Sequence, residues 1–258
     1  MTDTVADTSP SRKKHGRCYM YCQLSALALS LFFYSVGYSW LINVFPNYLT
    51  ALVCLNDYNQ SYSVCQNDSR PEFANVTVKV NDMYSSITLY RAIVSTVLNA
   101  ILGTLADVVG RQAVLMFCSV TALAFFVAIA TCPPESFDTI IPVVGAVTAV
   151  GGGVYCFVAV TFAAVADLAA GLPPKMRTVF FGIVEAGIWL GYAVGPVVCF
   201  TAMDIISPHP EQPSIRDTFW VAFALQGISL LIILFVYRES IVARQKLSWV
   251  RMNLHFPK

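Results

Sequence analysis

Apolar residues fill six long runs along this chain, at about 24–48, 87–105, 113–132, 139–165, 179–202 and 218–237, with polar links between them. A helix needs about 20 apolar residues to cross a bilayer, so each run predicts a membrane span. The first run is longer than a signal-peptide core, and no convincing small-x-small cleavage site follows it, so it reads as an uncleaved span. The pattern predicts an all-α membrane protein, a six-transmembrane-helix bundle over residues 23–237. Residues 1–22 read as a disordered cytosolic tail, 50–82 as a long polar loop, and 238–258 as a basic cytosolic tail. That tail has scattered apolar residues; it reads as the start of a further loop rather than as a surface-bound amphipathic segment.

The link between the second and third runs is short, which makes these two spans antiparallel neighbours. Gly103 is expected to remove a side chain where the helices converge, and Gly110 to permit a turn. Asp107 and Arg111 fall four residues apart at this end, close enough to pair. Asp167 and Arg177 lie on the next link at the same end, which predicts a charge cluster serving gating or assembly rather than solute contact.

Composition agrees with a membrane protein: 57% of residues are apolar and 12% charged, against about 25% charged in soluble domains. Mean hydropathy is +0.64. The net charge of +1 gives no sign of a nucleic-acid partner. The distribution of charge says more. Basic residues of both termini, with Arg111, Lys175 and Arg177, fall on one side of the spans, while Arg70, Lys79 and Arg216 fall on the other. The bias places both termini in the cytosol.

The 50–82 loop then lies outside the cytosol. It carries three N-x-S/T acceptor patterns, at Asn59, Asn67 and Asn75, and glycosylation occurs on that side. Cys54 and Cys65 share this oxidising side with ten residues between them. A disulfide closing such a loop would contribute about 2–3 kcal/mol in the chain-entropy model. The other cysteines and the three histidines form no metal pattern, so neither metal nor cofactor is expected. No nucleophile or metal constellation suggests an enzyme.

Two helix faces hold candidate chemistry. Arg91, Ser95 and Asn99 are four residues apart in the second span and share one face. Arg91 lies about 18 Å from the Gly103 end at 1.5 Å per residue. It is placed to attract an anionic solute or to snorkel to headgroups. In the fifth span Glu185, Trp189 and Tyr192 share a face opposite Gly187, Gly191 and Gly195. Gly187, Gly191 and Gly195 make a ridge for close packing. A carboxylate inside a span costs about 2.5–3.5 kcal/mol on insertion scales, which makes Glu185 a functional candidate by default. The alternative is a neutral acid hydrogen-bonded between helices. Trp189 and Tyr192 are expected to keep its face partly dry. Gly151, Gly152 and Gly153 lack the Lys-Ser/Thr of a phosphate loop and read as small residues for helix contact.

The link from Gly103 to Leu115 resembles the second-to-third-span loop of the major facilitator superfamily, G-x-L-A-D-basic-x-G-R-basic-x-x-L. Gly103, Leu105, Ala106, Asp107, Gly110, Arg111 and Leu115 match; Val108 and Gln112 stand where basic residues are usual. Gly182, Gly191, Gly195 and Pro196 resemble the superfamily's fifth-span signature, without the paired glycines that follow it. The segments Phe162–Asp167, Arg177-Thr178, Gly182–Ala186 and Phe219–Leu225 resemble the proton-coupled folate transporter group of solute carriers, as does the long glycosylated first loop. The resemblance implies the N-terminal half of a major facilitator fold. It implies that Glu185 serves proton coupling, and that Asp107 and Arg111 serve conformational change. It also implies a small organic anion, folate-like, as solute, with protons and membrane lipid as the other partners. Arg91, Ser95, Asn99, Trp189 and Tyr192 are then the candidate solute contacts. The family's first-loop cysteine can instead reach a loop of the other half. Because the family has twelve spans, the chain is expected to be a fragment or short form of a carrier, a half that joins a second half or a homodimer, or a non-transporting glycoprotein. A sugar or drug carrier is the alternative within the family. The plasma membrane and the endolysosomal membrane are both compatible.

Overall fold

The computed structural model describes residues 10–58, 71–132, 145–170, 172–206 and 212–238, and all its regular elements among these are helices. Among the described residues, six helical stretches are long and apolar enough to cross a membrane: Cys18–Tyr58, Ala74–Val109, Arg111–Thr131, Gly145–Ala169, Pro174–Ile206 and Ile215–Phe235. They are called here the first to sixth spans. The protein is a multi-pass membrane protein built as a six-helix bundle.

The spans are longer than the apolar runs suggest. The first comprises the helices Pro10–Asn43 and Phe45–Tyr58. Its hydrogen-bond ladder passes through Val44, which donates to the Trp40 carbonyl at 2.9 Å and accepts from Tyr48 at 3.0 Å. Pro46 sits in the first turn of the second helix, where a missing N–H costs nothing. Residues 10–22 are therefore helical, where a disordered tail was expected; residues 1–9 lie outside the described part. The expected 50–82 loop is also largely helix. Asn43, Asn47 and Thr50 donate to carbonyls four residues back at 2.9, 3.1 and 3.0 Å, which hides their polarity inside the helix. Leu49, Leu52 and Val53 then pack against Val76 and Val80 at the start of the second span. Lys79 and Asp57 form an ion pair across this junction.

The first span is the hub. It packs most extensively against the fifth and sixth, and also meets the fourth. The glycine ridge explains the closest of these contacts. A Cβ on Gly187 would stand 2.9 Å from the Ala28 carbonyl, and one on Gly191 2.7 Å from that of Phe32. At Gly195 an added Cβ would instead run into the Ser39 side chain. Without these side chains the two backbones approach closely and gain dispersion contact along their length.

Two apolar clusters fill the interior. One, towards Trp40, holds Phe45, Tyr48, Phe125, Phe126 and Phe219. The other, towards Leu24, includes Tyr34 stacked on Phe157 at 4.0 Å. Isolated polar groups tie the sixth span to its neighbours. Gln112 Nε2 donates to the Ile233 and Tyr237 carbonyls, and Gln23 Nε2 to that of Val236. These amides satisfy carbonyls that a helix end leaves open. Gln112 thus does, without charge, a job within reach of the basic residue usual at its position.

The fourth span is broken at Gly151-Gly152. Gly152 and Gly153 take φ of 72° and 61°, a left-handed backbone that side chains resist. Gly151 and Gly152 are closely approached by Thr121 and Asn99, while Gly153 has ordinary contact only; the break itself is not predicted by the sequence pattern.

Candidate functional site

The link between the second and third spans turns at Gly110, with φ of 124°. Gly103 is different: a Cβ there would meet nothing within 4 Å, so the expected convergence of helices does not occur at it. One turn after Gly103, Asp107 Oδ1 lies 2.6 Å from Arg111 Nη1. Arg111 Nε also donates to Asp167 Oδ2 at 3.1 Å, bridging to the end of the fourth span. The Arg111 side chain is only 14% exposed, against 61% for Asp107 and 36% for Asp167. A cation at the N-terminus of the third span opposes the helix dipole, and the two carboxylates offset that. Arg177 stands apart from this centre in its bonding. It donates to the Ala170 and Leu172 carbonyls and so ties together the link between the fourth and fifth spans. The expected cluster of four charges is a centre of three, with Arg177 holding the adjoining link.

Arg91, Ser95 and Asn99 do share a face, and the fold turns it inward against the fourth span. Arg91 carbons lie 3.8–4.0 Å from where a Gly145 Cβ would stand. Ser95 Oγ lies 3.8 Å from the same point on Gly153, and Asn99 Oδ1 crowds that on Gly152. The guanidinium carbon of Arg91 stands 5.8 Å from the centre of the Phe125 ring. The polar stripe and the broken glycine helix are one seam: small residues on one side make room for polar ones on the other.

The fifth span behaves oppositely. Glu185 is exposed, and so is Trp189, at 65%. Trp189 Nε1 donates to Glu185 Oε1 at 3.4 Å. Tyr192 is half-buried and meets Tyr38 edge-on at 6.3 Å. Among the described residues of this bundle, Glu185 and Trp189 are left open and only Tyr192 of the three is partly covered. The reason is the glycine ridge. With Gly187, Gly191 and Gly195 committed to the first span, the opposite face must point away from it.

Asn75 is exposed on the helix that begins at Pro71, while Asn59 and Asn67 lie outside the described residues. Cys54 is buried and disulfide-bonded. Cys65 lies outside the described residues, and Cys18, Cys22, Cys118, Cys156 and Cys199 are free thiols. Sequence reasoning passed over Gln226. It is the single amide in the helix Phe219–Phe235, whose other polar side chain is Ser229, and is 1% exposed. An isolated amide in such a run was the available signal, since a buried polar group demands a partner.

A family model of the Major Facilitator Superfamily matches residues 27–251. No curated protein matches the chain. Among solved structures, the human organic anion transporter MFSD10 (TETRAN) is similar in fold, with a TM-score of 0.59 at 20% identity. The match covers 87% of this chain and 49% of that one, so the chain spans about half the length of that transporter.

Proposed function

Because the chain belongs to the Major Facilitator Superfamily, a family of transporters rather than enzymes, we propose that it carries a small organic anion across a membrane as one six-span half of a proton-coupled carrier. The observation that carries this reading is the open polar face of the fifth span. A carboxylate and an indole in the middle of a span are tolerated where protein or water covers them, and the bundle itself does not cover them. A second six-span half, or a second copy of this chain, would do so. Glu185 then takes up and releases the coupled proton, and Trp189 and Tyr192 contact the solute. Arg91, Ser95 and Asn99, folded against the fourth span, support the bundle behind them.

The organic anion follows the name of the structural relative, and a folate-like compound follows the resemblance of the fifth-span segment. Asp107, Arg111, Asp167 and Arg177 act in gating, since they join the ends of four spans. In this reading both termini are cytosolic. Asn59, Asn67 and Asn75 carry glycans on the opposite side, Cys54 pairs with Cys65, and the protein resides in the plasma or endolysosomal membrane. Uptake of a folate-like anion from an acidic outside, by cells making this chain alone or with a separately expressed second half, tests the proposal. Glu185→Gln should abolish uphill uptake and leave downhill exchange. Uptake by neither combination, or an unchanged pH profile in the variant, would overturn it.

A further inference from the structure

A cavity of about 20 Å³ lies within the bundle, lined by residues of every span except the fifth. Its walls do not include Glu185 or Trp189, the exposed residues of the proposed transport site, although its Tyr38 meets Tyr192 edge-on. Tyr34, Tyr38, Arg91, Phe125 and Gln226 are among its walls. Among the described residues, Arg91 is the one charged residue that lines it. Among the described residues no carboxylate forms an ion pair with Arg91, although Asp57, Asp107 and Asp167 are all engaged with other cations. Arg91 is half-buried, and a cation drawn partly out of water without a counter-charge is unfavourable.

The neighbouring polar groups sort into used and unused. Thr121 donates to the Phe117 and Cys118 carbonyls, and Thr148 to that of Gly145. Gln226 presents its Oε1 towards Gly37, while its Nε2 is buried without a hydrogen-bond partner. The Tyr38 hydroxyl neighbours Arg91. What remains unspent around the cavity is a positive charge and N–H or O–H donors. The size favours a small occupant. A water needs about 10–15 Å³ of such space, so a cavity of about 20 Å³ admits a water or a single halide ion and excludes an organic anion of several heavy atoms.

We propose that this cavity is a binding site for a small inorganic anion of chloride size, paired with Arg91 and hydrogen-bonded by Gln226 Nε2 and the Tyr38 hydroxyl. The anion supplies the counter-charge that the bundle withholds, and it ties the second span to the first and sixth. Its binding does not depend on transport, so it is tested on the purified full chain in detergent. The thermal unfolding midpoint is followed in sodium chloride, bromide, gluconate and benzoate at equal ionic strength. Chloride and bromide should raise it by several degrees in a saturable way, while gluconate and benzoate should not. Arg91→Gln should lose that increment. Gln226→Leu and Tyr38→Phe, which keep the charge, should each raise the half-saturating halide concentration severalfold. A wild-type midpoint indifferent to halide would overturn the site, as would benzoate acting as well as chloride, or an increment kept by Arg91→Gln. Should Arg91→Gln fail to fold, an unchanged half-saturation in both neutral variants would overturn it equally.

Discussion

The polar stripes of the second and fifth spans are written almost alike and end in opposite places. Each begins with a charged residue and repeats at helical spacing, Arg91-Ser95-Asn99 in one and Glu185-Trp189-Tyr192 in the other. The first is folded into a seam against the fourth span; the second opens away from the bundle, apart from Tyr192. The difference comes from the glycines, not from the polar residues. Gly145, Gly152 and Gly153 stand opposite the second-span stripe and make room for it. Gly187, Gly191 and Gly195 stand behind the fifth-span stripe and draw the helix in by its other side. Small residues choose which face is buried, because only they allow backbones to come close.

Filling the ridge should break the contrast most severely. Gly191→Val would drive a branched side chain into the Phe32 carbonyl and Ser35. A loss of about 3 kcal/mol or failure to assemble is expected, read from denaturant unfolding or monodisperse yield. Gly182→Ala is the control on the same helix. No atom lies within 4 Å of its Cβ position, so stability should hold or rise by about 0.5 kcal/mol. Equal losses in the two variants would show that the ridge does not orient the fifth span.

The seam should respond next. Gly152→Ala imposes a left-handed backbone on a side chain and crowds Asn99 and Cys156. A cost of about 2 kcal/mol is expected. Asn99→Ala in the same protein should return part of it, a non-additivity that a double-mutant cycle detects. Strict additivity would remove the steric link between stripe and glycines.

Enclosed and open charge can also be compared at the Gly110 turn. Arg111→Gln removes both ion pairs of a side chain that is 14% exposed, and should cost about 1–2 kcal/mol. Asp107→Asn, whose side chain is 61% exposed, should cost less than about 1 kcal/mol. The order of the two unfolding midpoints checks this, and the reverse order would contradict the geometry.

The smallest effect belongs to the open face. Trp189→Leu should change the stability of the chain in detergent by no more than about 0.5 kcal/mol, because the indole is 65% exposed. A large loss would mean that a partner, such as a second copy, already covers this face.

Much of the architecture was legible before the fold. Six apolar runs predicted six spans because hydrocarbon thickness sets a minimum length. The short Gly110 link predicted the pairing of Asp107 with Arg111, because a tight turn between two helix ends keeps residues four apart close together. The ends of the spans were less legible. Hydropathy marks where a helix leaves lipid, not where it stops, so Leu52 and Val53 fall in the expected loop although the helix continues through them. Gln226 was overlooked for a related reason: one amide in an apolar run has no period.

Periodicity and composition thus determined that this chain crosses a membrane six times, and which residues share each face. They could not determine where a face points. That is a property of pairs of helices, decided when Gly187, Gly191 and Gly195 meet Ala28, Phe32 and Ser39, and when the glycine break of the fourth span receives Ser95 and Asn99. Close backbone approach is won by whichever two small-residue surfaces fit. The polar stripes take the direction that this fit leaves them.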